Sequence, residues 1–212
     1  MKTAELIAAL AADTPVVRPV PVIRRMLIAC GVSALLAIIV LVAWLGLRPL
    51  DEAIVTRAFW MKAGYTFALG VAGFLLVSRL ARPGGRMGWS PLVALAAFGL
   101  MLLFSGMEMS HTAPSQMRSV WMGHTASVCS MRILALSVPV FVGSMVVLRQ
   151  FAPTRLALAG AAAGLLAGGV GATVYGLYCA ESAATFVATW YTLGIAASAG
   201  LGAIIGARVL RW

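Results

Sequence analysis

Charge is what this chain has least of. Six of its 212 residues are acidic, and charged residues of both signs make up only 10%, against 62% hydrophobic. A soluble domain carries about 25% charged residues, and one globular core of this size cannot hide such an apolar excess. The composition therefore excludes an ordinary water-soluble domain and points to an integral membrane protein. Histidine is nearly as scarce, with His111 and His124 the two present. No paired carboxylates, nucleophile elbow or zinc-type histidine spacing occurs, so an enzyme is not expected. No basic cluster interleaved with aromatics is present, so the net charge of +10 does not indicate direct nucleic-acid binding. The first 25 residues have no basic stretch leading directly into an apolar run, so no signal peptide is expected. Ten-residue alternating segments, the mark of a membrane β-barrel, are also missing.

What is present is a series of continuous apolar runs. A helix needs about 20 apolar residues to cross the hydrocarbon layer, and six runs qualify: 26–47, 59–80, 89–106, 129–148, 156–179 and 183–207. The expected fold is all-α, a polytopic six-helix membrane domain over 26–212 preceded by a tail over 1–25. Lys62 and Arg132 lie inside the second and fourth runs, where each is expected to snorkel to the interface. Pro139 is expected to kink the fourth helix by removing a donor. Gly160, Gly164 and Gly168 on the fifth run, and Gly202 and Gly206 on the sixth, repeat every four residues. That spacing predicts close packing of these two helices.

Orientation follows from the cations. With the N-terminus inside, the inner side receives Lys2, Arg18, Arg24, Arg25, Arg79, Arg82, Arg86, Arg149, Arg155, Arg208 and Arg211. The outer side receives Arg48, Arg57, Lys62, Arg118 and Arg132, and both termini are then expected in the cytoplasm. Away from their ends the runs hold only weakly polar groups such as Ser33, Ser144, Thr173 and Ser198, each able to bond to its own helix. Transporters place ionisable groups at the midplane, and no repeat of three spans is visible. A small membrane transporter or metal-handling channel is thus the alternative rather than the leading reading.

Function is left to the tail and the outer face. MKTAELIAALAADTP reads as a short helix with Leu6, Ile7 and Leu10 on one face, followed by the extended spacer VVRPVPV. So short a helix is marginal alone, and it gains by laying its apolar face into a partner's groove. On the outer side, Cys129 and Cys179 fall at the ends of the fourth and fifth runs, while Cys30 sits near an inner end as a small apolar residue. From position alone the outer two are a disulfide pair, a sensing pair or small helix-end residues. Nearby stand Met107, Met109, Met122, His111 and His124, and thioethers, thiolates and imidazoles suit copper, zinc or cadmium. No spacing here matches a closed zinc site, and no cofactor is required.

Four segments carry a family resemblance: MKTAELIAALAADTPVVRPV, WMGHTASVCSMRILALSVPV, LRQFAPTRLALAGAAAGLLAGGVGA and CAESAATFVATWYTLGIA. In their order and spacing the chain resembles the NrsF family, bacterial negative regulators of sigma F. The resemblance implies an inner-membrane, multi-pass anti-sigma factor whose cytoplasmic tail holds an extracytoplasmic-function sigma factor. It further implies that a heavy-metal or thiol-oxidation signal is sensed through two outer cysteines, which are Cys129 and Cys179 here.

Overall fold

The computed structural model of the chain describes residues 3–12 and 21–211. The proline spacer around Pro15 and Pro19 lies outside the described residues, as does Trp212. Among the described residues there is no strand. The helices are α1 Thr3–Ala12, α2 Val22–Trp44, α3 Leu50–Ile54, α4 Arg57–Leu80, α5 Ser90–Ser110, α6 Met117–Met122, α7 Ala126–Arg149 and α8 Leu156–Tyr175. The last span begins as α9 Ala184–Phe186, passes through a π-helical segment Val187–Tyr191, and continues as α10 Thr192–Val209. Six of these stretches are long and apolar enough to cross a membrane.

Two boundaries differ from the hydropathy reading. The helix of the first span starts at Val22, directly after Pro21 with φ −65°, so Arg24 and Arg25 lie in its first turn. Long cationic side chains reach an interface without breaking a helix, which is why a charge-based boundary falls too late. The same helix stops before Gly46, whose φ of +81° suits only glycine at low cost. The second loop expected near residue 107 is partly helix: Met107 and Met109 belong to the last turn of α5, and α6 follows. α7 runs unbroken through Pro139.

α8 is the centre of the bundle and packs against α10, α4 and α7. The predicted glycine contact is present. A Cβ on Gly164 would collide with the Ser198 carbonyl, and one on Gly160 with the Gly202 carbonyl. The opposite face of α8 repeats the device, because Gly169 meets the Gly70 backbone and Gly73 meets that of Leu166. In lipid, where apolar surface gains little from leaving the solvent, close backbone approach supplies the dispersion contact. Polar side chains inside the bundle are absorbed locally. Ser144 donates to Val140 O at 2.8 Å, Thr173 to Gly169 O at 2.8 Å and Ser198 to Gly194 O at 3.0 Å.

The bundle has two chemically distinct ends. At one, Arg25 donates to the Gln150 side chain, Gly84 N–H meets Thr154 Oγ1 at 3.3 Å, and Arg79 lies over the Trp89 ring at 5.3 Å. The other end gathers the starts of α4, α7 and α9 with the ends of α5 and α8. It carries both Cys129 and Cys179.

Candidate functional site: the thiol end

Cys129 lies one turn into α7, its N–H bonded to Thr125 O at 2.9 Å. Cys179 follows the end of α8, where its N–H is held by Tyr175 O at 3.0 Å. Both are free thiols, and they share one apolar cluster with Tyr175, Phe186, Val187 and Tyr191. The structure therefore brings together the two cysteines that the sequence singled out, one from α7 and one from the segment after α8, 50 positions apart. It also seals them: Cys129 is 0% exposed and Cys179 1%. The Tyr175 and Tyr191 rings stand 5.7 Å apart beside them.

Three ionisable side chains build the walls. The first corrects an expectation. Lys62 does not snorkel outward; it is buried, and its Nζ donates to the carbonyl oxygens of Cys179 at 2.7 Å and Glu181 at 2.9 Å. The chain after α8 has no regular partner for those carbonyls, so an inward ammonium satisfies groups that lipid would leave orphaned. The second is Glu181, whose Oε1 accepts from His124 N–H at 2.7 Å and stands 3.5 Å from Thr125 Oγ1, tying the segment after α8 to the entry of α7. The third is Glu108 at the end of α5. Its carboxylate accepts from Ala184 N–H at 3.1 Å, and from Thr185 N–H and Thr185 Oγ1, both at 2.7 Å. It caps the last span in place of the local Ser, Thr or Asp that usually does so. Arg132, in the second turn of α7, is half-buried with its guanidinium 5.4 Å from the Tyr178 ring centroid.

The remaining candidates are placed as follows. His111 follows the end of α5 and is exposed; His124 is exposed and engaged through its backbone. Met107 is exposed, Met109 half-buried, and Met122 packs on the thiol cluster. Among the described residues, no three or more His, Cys, Asp or Glu side chains are grouped to hold a metal ion. Leu6, Ile7 and Leu10 are all exposed on α1.

Lys62, Glu108, Glu181, Tyr175 and Tyr191 were not singled out as site residues. One weak signal existed for Lys62: it is one of two lysines in a chain whose other cations are arginines.

Comparison with known proteins identifies the family. Residues 10–212 match the family described as negative regulator of sigma F. The "Anti-sigma-F factor NrsF" of Caulobacter vibrioides is 42% identical over 218 aligned positions, covering all of both chains. The "Probable anti-sigma-F factor NrsF" of Azospira oryzae is 37% identical over 217, again covering all of both. No solved structure matches. With a family match over nearly its whole length and full-length relatives at this identity, the chain belongs to the NrsF family of negative regulators of sigma F.

Proposed function

We propose that the chain is a membrane-embedded anti-sigma factor, regulatory rather than catalytic, that silences an extracytoplasmic-function sigma factor and releases it on a chemical signal. It sits in the bacterial inner membrane with both termini in the cytoplasm. The arginine-rich end then faces the cytoplasm and the thiol end faces the periplasm. The tail that includes α1 presents Leu6, Ile7 and Leu10 to the sigma factor. The signal acts at Cys129 and Cys179, either as a two-electron oxidant that joins the two Sγ atoms with release of two protons, or as a heavy-metal ion captured by the thiols. Either event must fit one packing of the bundle better than another if it is to alter the tail's affinity.

The observation that carries this reading is the convergence of two thiols, one from α7 and one from the segment after α8, in one buried cluster at one end of the bundle. The absence of ionisable groups from the middle of the described spans gives the transport alternative no support. Two measurements test the proposal. Full-length protein in membranes should retain a sigma factor in a pull-down, and failure to retain any removes the anti-sigma reading. Cys129→Ser and Cys179→Ser should each abolish oxidant- or metal-triggered transcription; wild-type induction in both removes the thiol mechanism.

A further inference from the structure

The ammonium of Lys62 is in an unusual position. The residue is 2% exposed, its two hydrogen bonds go to neutral carbonyl oxygens, and its Nζ lies 5.5 Å from the centroid of the Tyr191 ring. A buried cation is costly unless a negative charge compensates it. The nearby carboxylate of Glu181 is turned instead to His124 N–H and Thr125. The other charged and titratable groups around the ammonium come from every wall. They are Cys179 from the segment after α8, Cys129 from α7, Tyr191 from the π segment and Arg48 from the segment before α3, with Arg132 and Tyr175 set against the thiols. Of the neutral groups here, a thiol gives up its proton more readily than a phenol in the ordinary case. A thiolate is therefore the negative charge that this site can generate within itself.

We propose that Lys62 is a positioning residue for the thiol pair, its buried ammonium being the counter-charge that stabilises a thiolate at Cys179 and so sets how readily the pair reacts. The inference rests on the reading of Cys129 and Cys179 as the sensing pair. In the step concerned the S–H bond of Cys179 breaks and the proton passes to water; the electron pair left on sulfur attacks an alkyl halide such as iodoacetamide, forming a C–S bond as the C–I bond breaks and iodide leaves. Lys62 loses nothing; it holds the carbonyl of the same residue at 2.7 Å and keeps the sulfur's segment in place. A strut alone needs only a donor. Coulombic stabilisation of a thiolate needs a charge.

The test separates these two roles. Full-length protein carrying Cys30→Ser and Cys129→Ser, reconstituted in lipid nanodiscs, leaves Cys179 as its single thiol. Its rate of alkylation by iodoacetamide is followed against pH. The midpoint reports thiolate formation, and the plateau reports access. Lys62→Met should move the midpoint upward by about one pH unit or more, whereas Lys62→Arg should hold it. Lys62→Gln, a neutral donor that keeps the carbonyl contacts, should shift as Met does, and it serves if the Met variant does not fold. A midpoint unchanged in Met and Gln, with only the plateau altered, reduces Lys62 to a strut and overturns the proposal. So does a folded parent chain whose Cys179 reacts at no pH. Failure of the sensing reading appears elsewhere, as normal transcriptional induction in Cys129→Ser and Cys179→Ser, and leaves the alkylation result intact.

Discussion

Replacing Glu108 with alanine removes one carboxylate and strands three donors at the start of the last span. Ala184 N–H, Thr185 N–H and Thr185 Oγ1 all bond to it, and Thr185 is buried. Loss of a helix cap alone costs about 0.5–2 kcal/mol, and a hydrogen bond to a charged acceptor is worth about 1.5–3 kcal/mol. These terms overlap, since Ser105 Oγ remains 3.1 Å from Thr185 Oγ1 and water can reach the frayed turn. A net loss of about 2–4 kcal/mol follows. For a chain of this size that corresponds to a fall in unfolding temperature of roughly 5–15 °C. The assay is thermal unfolding in detergent micelles followed by far-ultraviolet circular dichroism, which reads the loss of helix directly. Glu108→Gln, which keeps one oxygen acceptor, should fall between alanine and wild type. Glu52→Ala, at an exposed position, should not shift. An alanine variant that unfolds with wild type would refute the view that α5 caps the last span.

Further outcomes follow from the packing and the tail. Gly164→Leu, which drives a side chain into the Ser198 carbonyl, should destabilise by about 3 kcal/mol or more and lower the yield of folded protein. Gly200→Ala, which meets open space, should behave as wild type in the same size-exclusion profile. Leu6→Asp combined with Leu10→Asp should lower sigma-factor recovery in a membrane pull-down at least tenfold, with the transmembrane domain's melting unchanged. Cys30→Ser should leave induction intact, since Cys30 lies in an apolar groove between α2, α4 and α8, apart from the thiol cluster.

The six spans and the α8–α10 contact were legible because both depend on short-range pattern: apolar runs of membrane length and glycines every fourth residue. The second glycine contact, of Gly70 and Gly73 with α8, was harder to read because the two glycines on α4 are spaced three apart among larger residues. That Cys129 and Cys179 share one end of the bundle was legible in outline, since adjacent antiparallel helices return to the same face. The walls around it were not. Lys62 meets residues 117 and 119 positions away, Glu108 caps a helix 76 positions later, and Glu181 reaches back 57. Nothing local distinguishes a lysine that snorkels from one that turns inward. That choice is made by orphaned carbonyls in a distant segment. The start of α2 at Val22 lies ahead of the apolar run that begins at residue 26, because Arg24 and Arg25 are carried in its first turn after Pro21.

The π segment Val187–Tyr191 has a consequence for the register of the last span. Such a segment holds one residue more than an α-helix of the same rise would, and one residue corresponds to a rotation of roughly 100°. Relative to α10, which is locked to α8 by its glycines, the turn Ala184–Phe186 is therefore swung round by that angle. The swing lets Thr185 reach Glu108 while Phe186 and Tyr191 both enter the thiol cluster. Deleting any one residue of Val187–Tyr191 would let the helix close into regular α geometry and turn Thr185 away from Glu108. The extra residue works as a fixed gear offset between the glycine-packed body of the span and its capped, thiol-covering tip.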